Sequence, residues 1–236
     1  MDDMMISAEL LHLLRAADTP TVCNAVEVAQ GRRGFAGFTR KQVISSDPAG
    51  GAIVGYARTA VIAAAAPSDE PADRVRQRRM DYYRSMSDGP RPAVAVIEDA
   101  DGDAAVGAFW GEINTNVHKS LGLCGALTNG LMRDLGDLPP GFPVIAGSIG
   151  PSHGFAHVRQ IGSPVTIFGL TVAQGDLIHA DRHGAVVIPP DCIGGLAQAI
   201  ARLRKAEDVI LSATRDKTLS FEAFADVWAA FERART

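Results

Sequence analysis

The sequence has few cysteines and few aromatic residues. Its three cysteines, Cys23, Cys124 and Cys192, are an odd number without a CxxC pair, so they predict neither a disulfide framework nor a zinc knuckle. Aromatic residues make up 6% of the 236 residues, and the formal net charge is -4. Surfaces that bind nucleic acid are typically basic and offer aromatic side chains for stacking. We therefore expect no nucleic-acid partner.

The chain also lacks a basic leader and a long apolar run. Its first four residues, Met-Asp-Asp-Met, are acidic where a signal peptide is basic. Proline or glycine interrupts every apolar run before the roughly 20 residues that cross a bilayer. A hydrophobic content of 47% beside 21% charged residues is typical of a folded globular protein. These features predict a cytoplasmic protein that does not contact a membrane.

Regularly spaced apolar residues predict helices in the first and last parts of the chain. Leu10 and Leu14 recur at helical spacing, and the pattern predicts two helices within about 7–31. Two more are predicted within about 190–234, and the charged stretch 67–92 predicts a helical excursion. We expect a single domain over 1–236, with the terminal helices packed on it or on neighbouring subunits.

The middle of the chain reads mostly as strands. A helix predicted at 112–121 lies among the first strands, which indicates a partly parallel α/β core. The later strands follow one another without helices, which predicts an antiparallel sheet or a small barrel. The predicted strands are 52–64, 93–97, 124–128, 142–146, 155–161, 165–168, 177–180 and 185–189.

Residues suited to anion and metal chemistry are concentrated between positions 111 and 134. Glu112 falls in the first turn of the predicted helix, and Arg133-Asp134 follows a strand, at places where α/β sheets bind ligands. The free amides of Ile113 and Asn114 suit a carboxylate. Glu112 and Asp134 suit a hard divalent cation, and Arg133 suits a second oxyanion. The alternative is a helix-dipole contact beside an ordinary surface ion pair.

The same segment resembles a known family. The pattern Glu-x20-Arg-Asp at 112–134, with Gly111 before the glutamate and Asn129-Gly130 before the arginine, resembles the RraA-like family. That family includes the divalent-metal-dependent 4-hydroxy-4-methyl-2-oxoglutarate aldolases. The run 175–189 resembles the family's characteristic C-terminal hairpin, and the resemblance extends from about 19 to 190.

The resemblance implies a fold and a metal site. The fold is an α/β swivelling β/β/α sandwich, similar to phosphohistidine domains, assembled as a homotrimer or a dimer of trimers with sites between subunits. Asp134 is implied as the direct Mg²⁺ or Mn²⁺ ligand, Glu112 as the holder of metal-bound water, and Arg133 as the contact to the 2-oxo-acid oxygens. A carboxylate of a neighbouring subunit, Glu207 or Asp208, is a further candidate.

The activity implied by the resemblance is that of a lyase. It cleaves a carbon–carbon bond of a 4-hydroxy-2-oxo acid and releases pyruvate, and oxaloacetate decarboxylation follows the same chemistry. The alternative is a non-catalytic regulator that binds a ribonuclease or another protein. Family members without an acidic residue at the position of Glu112 include the regulator that binds RNase E. The presence of Glu112 therefore favours catalysis.

The helix after Glu112 departs from the family pattern. The aldolases have a small, alanine-rich helix here, whereas this chain places Asn114, Thr115 and His118 at helical spacing. This predicts a more polar pocket and a different natural substrate, with His118 in contact with that substrate. A solvent-facing side of the helix is the alternative for His118, and it is the expected place of Lys119.

Four other histidines raise the question of a metal cluster. These are His153, His157, His179 and His183. His153 and His157 lie four residues apart across a predicted strand start, a spacing that alternates poorly onto one face of a strand. We therefore expect pocket-lining or packing roles for them instead of metal ligation.

Overall fold

The computed structural model describes residues 5–215 and 218–235, which contain helices in the predicted regions. Ser7 caps the first helix, since its Oγ accepts a hydrogen bond from the Leu10 amide at 3.1 Å. Gly31 follows the second helix with a left-handed φ of 66°. The helices are α1 (Ala8–Arg15), α2 (Thr19–Gln30), α3 (Ala72–Ser87), α4 (Glu112–Ser120), α5 (Ile193–Thr214) and α6 (Phe221–Arg235).

The strands include all the predicted ones and several short additional ones. The short ones, of two or three residues, carry too little periodicity to be recognised from sequence. The strands are β1 (Ile44–Ser45), β2 (Ile53–Ala63), β3 (Ala93–Asp99), β4 (Ala108–Trp110), β5 (Leu123–Thr128), β6 (Leu131–Met132), β7 (Val144–Ala146), β8 (Ser148–Ile149), β9 (His157–Ile161), β10 (Val165–Ile167), β11 (Leu170–Val172), β12 (Leu177–Asp181) and β13 (Gly184–Ile188).

The main sheet has a parallel centre and antiparallel edges. Its order is β1-β7-β5-β3-β2-β12-β13, with β9 also paired to β2. The strands β2, β3, β5 and β7 run parallel, whereas β1, β12 and β9 join them antiparallel. The long strand β2 is the reason that one edge holds two partners. Its first half pairs with β12 and its second half with β9.

This topology corrects the prediction for the later strands. We expected a separate antiparallel sheet or small barrel, but β9, β12 and β13 extend the main sheet instead. Among the strands predicted after residue 154, the one at 165–168 stands apart from the main sheet, because β10 pairs with β11 in a two-stranded hairpin. The local alternation of apolar residues is the same in both arrangements, so the sequence pattern did not distinguish them.

The main sheet is covered on both faces. The strands β2 and β3 are buried along almost their whole length, as expected of parallel strands with two covered faces. One core cluster contains Trp110, Tyr82 and Phe142 together with small residues of the sheet. The other contains Leu127, Ile145 and the hairpin β10–β11. A mixed α/β fold follows from this arrangement.

A second, three-stranded sheet lies beside the main one. Its order is β4-β6-β8, and both pairings are parallel. Helix α4 begins two residues after β4 ends, and Arg133 follows β6 directly. The carboxyl ends of two neighbouring parallel strands therefore carry the residues singled out by the sequence.

The chain forms two compact units by its internal contacts. The first contains the residues up to Thr19 and Ala36–Ile188, and the second contains Pro20–Phe35 and the residues from Pro189. Within the second unit, α5 packs against α6. The expectation of a single domain stays a prediction.

Within the described residues, no helix combines the length and the apolar character needed to cross a lipid bilayer.

Candidate active site

Two parallel strands bring the predicted site residues together. The Arg133 amide donates a hydrogen bond to the Trp110 carbonyl at 2.7 Å, and this bond continues the pairing of β4 with β6 beyond the strand ends. Residues 111 and 112 therefore lie beside residues 133 and 134. The sequence separation of about 20 residues becomes direct contact because the intervening helix and strand return the chain to the same edge.

Asp134 caps helix α4 from another part of the chain. The residue before the helix is Gly111, which has no side chain to cap it. Asp134 Oδ2 instead accepts a hydrogen bond from the Glu112 amide at 3.1 Å, so a carboxylate sits at the positive end of the helix dipole. Asp134 has a left-handed φ of 55°, which Asp tolerates better than most residues. Its Oδ1 has no partner within the described chain.

Arg133 lies next to this carboxylate. Its Nε is 3.7 Å from Asp134 Oδ2, and each of the two side chains is 31% exposed. The distance is too long for a strong hydrogen bond, so the guanidinium retains donors for an incoming oxyanion. The pair is a half-exposed cation and anion held side by side at a helix N-terminus.

The first turn of α4 offers further groups. The Glu112 side chain is exposed, and no residue in the described ranges hydrogen-bonds to its carboxylate. The amides of Ile113 and Asn114 belong to the helix start and have no acceptor in the described structure, as the first-turn geometry requires. The Asn114 side chain donates to the Phe109 carbonyl at 2.9 Å. The backbone therefore retains two donors that suit an anion.

His118 corrects the prediction of a substrate contact. Its side chain is fully buried, and its Nδ1 is 2.6 Å from the Asn114 carbonyl. A carbonyl only accepts, so Nδ1 carries the proton, and Nε2 accepts a hydrogen bond from the Tyr82 hydroxyl at 2.6 Å. Burial lowers the pKa of His118 to about 4, which keeps the ring neutral. Helix α4 turns this residue into the core, where it packs on Trp110.

Thr115 likewise faces away from the pocket. It is fully buried, and its hydroxyl donates to the carbonyls of Gly111 and Glu112 at 2.9 and 3.0 Å. The backbone of the helix therefore satisfies the Thr115 hydroxyl. Of Asn114, Thr115 and His118, only Asn114 lines the cavity described next. The prediction of a pocket made polar by this helix is wrong for Thr115 and His118. Lys119 is exposed and donates to the Pro140 carbonyl at 2.6 Å.

A cavity of about 320 Å³ adjoins Arg133. It lies between α3, α4 and the segment that leads into β9. Its polar lining consists mainly of Arg79, Tyr83, Asn114, Arg133, His153 and His157. The sequence reasoning missed Arg79 and Tyr83, although the charged, helical character of 67–92 was the signal that marked their helix.

The two cavity histidines have the pocket-lining role that we expected for them, since His153 and His157 both line this cavity. Only the expectation that their spacing places them poorly on one face is corrected. His153 precedes β9 and does not follow strand geometry. Elsewhere, His179 is fully buried, and its Nε2 donates hydrogen bonds to the Leu14 and Ala17 carbonyls at 3.0 and 3.1 Å. His183 contacts the Asp181 carboxylate.

The donor set fits a hard divalent cation that keeps part of its water shell. The described residues contain no group of three or more His, Cys, Asp or Glu that could hold a metal ion by themselves. Magnesium is commonly bound by one or two carboxylates, with waters and ligand oxygens completing the shell. Asp134, whose Oδ1 has no partner in the described structure, and the exposed Glu112 supply two such carboxylates. The two residues lie beside each other in space, since the Glu112 amide donates to Asp134 Oδ2. Glu207 and Asp208 lie in α5, and their participation stays a prediction.

Comparison with known proteins identifies the family. The sequence matches the RraA-like family, described as Aldolase/RraA, over residues 19–187. The match covers well over half of the chain and includes all the residues of the candidate site, so the chain belongs to the RraA-like family. The predicted resemblance is confirmed.

Individual relatives are distant. A Halalkalibacterium halodurans protein named "Putative 4-hydroxy-4-methyl-2-oxoglutarate aldolase" is 23% identical over 224 residues, which are 93% of this chain and 96% of that protein. Protein DlpA of Legionella pneumophila is 28% identical over 128 residues, or 52% of this chain, and the match spans 20% of DlpA. Each of these names describes the relative that carries it.

A solved structure shares the fold. Streptomyces coelicolor RraAS2, described as an unusual member of the RNase ES inhibitor RraA protein family, superposes with a TM-score of 0.62. The identity is 21%, and the match covers 89% of this chain and 98% of that one. The RraA-like β/β/α fold expected from the sequence is confirmed.

Proposed function

We propose that this protein is a divalent-metal-dependent lyase that cleaves a 4-hydroxy-2-oxo acid of the 4-hydroxy-4-methyl-2-oxoglutarate type and releases pyruvate. The observation that carries the proposal is the contact of Asp134 with the start of α4 and with Arg133. Membership of a family described as Aldolase/RraA and the name of the Halalkalibacterium halodurans relative support it.

Substrate binding uses the groups at the start of α4. Asp134 and Glu112 would hold Mg²⁺ or Mn²⁺, which supplies a Lewis acid for the 2-oxo-acid unit. The Arg133 guanidinium contacts the oxygens of that unit, and the amides of Ile113 and Asn114 are available to its carboxylate. The Arg133 amide donates a hydrogen bond to the Trp110 carbonyl. This bond fixes the backbone from which the Arg133 side chain extends.

Bond cleavage follows from the placement of positive charge. The C4 hydroxyl passes its proton through a water to the Glu112 carboxylate, and the C3–C4 bond breaks to leave a carbonyl at C4. The bonding electrons pass to the enolate of pyruvate, whose oxygen Arg133 stabilises. Return of that proton through the water to C3 gives pyruvate. Oxaloacetate decarboxylation uses the same enolate, with CO₂ as the departing group.

A non-catalytic role in binding a ribonuclease or another protein is the alternative. The structure described for Streptomyces coelicolor RraAS2 has the same fold, and a fold alone supports either role. Glu112 and Asp134 favour catalysis, because a protein that only binds a partner does not require a cation site. Metal-dependent pyruvate formation distinguishes the two.

The test combines metal binding with pyruvate release. Mn²⁺ is titrated by calorimetry, and pyruvate is followed through lactate dehydrogenase with 4-hydroxy-4-methyl-2-oxoglutarate or oxaloacetate, with EDTA as a control. We expect Asp134→Asn to weaken Mn²⁺ binding and lower kcat/KM by roughly a hundredfold or more. Arg133→Lys keeps the charge but loses the planar fork, so it lowers kcat/KM and leaves Mn²⁺ binding intact.

The matched control is Asp137→Asn. Asp137 is an exposed aspartate three residues after Asp134, and its amide donates to the Asp134 carbonyl. Its side-chain charge has no role in the site, so this variant retains both metal binding and activity. Wild-type activity in Asp134→Asn, or a wild-type protein that forms no pyruvate with Mn²⁺, would contradict the proposal.

A further inference from the structure

The cavity beside Arg133 is lined by basic residues and, within the described ranges, by no acidic ones. It holds about 320 Å³, and the residues that line it include two arginines and two histidines but no aspartate or glutamate. A concave surface of one charge sign concentrates ligands of the opposite sign. The cavity is therefore suited to an anionic group that extends beyond the unit bound at Arg133.

His157 lines this cavity and carries a hydrogen-bond acceptor that has no partner in the described structure. The residue is 5% exposed, and its Nδ1 is 2.8 Å from the Phe155 carbonyl. Because a carbonyl only accepts, Nδ1 carries the proton in the neutral ring and Nε2 presents a lone pair. Nε2 is buried and has no partner among the residues that the structure describes. An unpaired buried acceptor is costly, and a ligand hydroxyl would satisfy it if a small shift of the His157 ring opens Nε2 to the cavity.

Arg79 brings an unpaired cation. Arg79 lies in α3 and is exposed. Burial raises the pKa of Tyr83, and the nearby charge of Arg79 lowers it by a smaller amount. The preceding residue, Arg78, is bound by the Glu70 carboxylate, whereas no ion pair of Arg79 occurs within 5–215 and 218–235. Its guanidinium is free to bind an oxyanion in the cavity that it lines.

We propose that this cavity is the subsite for the distal part of the substrate, in which Arg79 binds a second carboxylate and His157 Nε2 accepts a hydrogen bond from a hydroxyl group. The inference rests on the proposed function and deepens it. It makes Arg79 and His157 specificity-determining residues for the two distal polar groups of the proposed substrate.

Two unreactive ligands test the Arg79 contact without requiring turnover. 2-Oxoglutarate and 2-oxopentanoate have the same chain length and differ in the distal carboxylate. We expect wild-type protein with Mn²⁺ to bind 2-oxoglutarate about tenfold or more tightly than 2-oxopentanoate in calorimetric titrations. Arg79→Gln abolishes this preference and leaves the affinity for 2-oxopentanoate unchanged.

The control for this experiment is Arg76→Gln. Arg76 is an exposed arginine of the same helix that does not line the cavity, so its replacement retains the preference. Equal wild-type affinity for the two ligands overturns the subsite but leaves the proposed lyase standing. Failure of both ligands to bind overturns the proposed function together with the subsite.

Two replacements of His157 separate the hydrogen bond from packing. Asparagine can imitate the Nδ1 donor to the Phe155 carbonyl but lacks a group at Nε2, whereas glutamine can place an acceptor near Nε2. We expect His157→Asn to lower kcat/KM for 4-hydroxy-4-methyl-2-oxoglutarate about tenfold. The affinity for 2-oxoglutarate, which has no hydroxyl, stays at the wild-type value, and His157→Gln retains most of the activity.

The outcomes of the His157 experiment are distinct. Circular dichroism and thermal unfolding verify that each variant is folded. The role of Nε2 is overturned if His157→Asn lowers kcat/KM for 4-hydroxy-4-methyl-2-oxoglutarate and the affinity for 2-oxoglutarate by the same factor. It is also overturned if His157→Asn lowers neither. Wild-type protein that binds 2-oxoglutarate but does not cleave the hydroxylated substrate overturns the lyase, and the Arg79 experiment still decides the anion subsite.

Discussion

Glycine at position 111 leaves room for the side chains of the candidate site. Its φ of -144° is available to any residue, but a Cβ there would lie 2.5 Å from Asp134 Oδ2 and 2.9 Å from Arg133 Nε. Both atoms belong to the candidate site. A side chain as small as methyl would therefore displace the carboxylate and the guanidinium whose positions the proposed chemistry needs.

We predict that Gly111→Ala disrupts the candidate site and leaves the fold intact. Mn²⁺ affinity and kcat/KM both fall by roughly tenfold or more, because the methyl group moves Asp134 and Arg133, while far-ultraviolet circular dichroism remains unchanged. Gly136→Ala is the control, since Gly136 is exposed and a Cβ there meets nothing within 4 Å. Calorimetry with Mn²⁺ and the pyruvate assay give the comparison, and unaltered metal binding in Gly111→Ala would contradict it.

Asp99 is a second residue whose surroundings set its chemistry. It ends β3, is 1% exposed, and accepts a hydrogen bond from the Asp101 amide at 3.0 Å through Oδ1. Its Oδ2 is buried without a partner in the described ranges. Burial raises the pKa of Asp99 to about 6 from the ordinary aspartate value of 3.8. The folded protein therefore holds the Asp99 proton more tightly than the unfolded chain does.

This shift predicts how Asp99→Asn changes the pH dependence of stability. Between pH 3.8 and about 6 the folded state binds more protons at this site, so its stabilising contribution is complete below pH 3.8 and is lost as pH rises through 6. Asparagine does not ionise. The free energy of unfolding of the variant relative to wild type therefore increases from pH 4 to pH 6 and then levels off.

Urea unfolding at several pH values measures this difference. Asp103→Asn serves as the control, because the Asp103 side chain is 97% exposed. That variant follows the wild-type pH dependence. A pH-independent difference between Asp99→Asn and wild type would show that Asp99 has the same pKa in the folded and unfolded states.

At the scale of elements, one arginine joins the ends of two helices that border the cavity. Arg91 Nη2 donates to the carbonyls of Met86 and Ser87 in α3, and also to the Leu121 carbonyl at the end of α4, at 2.7–3.0 Å. A cation at a helix C-terminus also complements the helix dipole. Since α3 supplies Arg79 and α4 supplies Asn114, Arg91 fixes the walls on which the proposed subsite depends.

We predict that Arg91→Ala lowers the free energy of unfolding by about 1–3 kcal/mol. The carbonyls at both helix ends lose a charged donor, and α3 and α4 lose a shared contact. Arg84→Ala, an exposed replacement in the last turn of α3, changes stability by about 0.5 kcal/mol or less. Urea denaturation compares the two, and equal effects would show that the Arg91 contacts contribute nothing specific.

Elements also show where sequence analysis succeeds and where it fails. The strand β2 and the helix α4 were predicted to within two residues, because long buried runs and helical periodicity are local properties. The strands β4, β6 and β8 were missed, although β4 and β6 place the site. Each has two or three residues, and their pairing joins positions 17 to 23 residues apart.

At the scale of the whole molecule, the resemblance to the family implies an assembly of three or six copies. The two compact units of the chain are distinct in their internal contacts. We predict that native mass spectrometry gives the mass of three or six chains, because a site between subunits requires association. A monomer under conditions that support pyruvate formation would contradict a site shared between subunits.

The sequence by itself determined the family and indicated which residues are candidates for the site. The order and spacing of Gly111, Glu112, Arg133 and Asp134 are covalent facts, and apolar periodicity placed them at the ends of predicted elements. Only the tertiary structure decided which side chains face a ligand. It buried His118, set Asp134 against the start of α4, and brought Arg79 and His157 to one cavity. These outcomes depend on the rotation of a helix and on the pairing of distant strands, which local sequence patterns do not record.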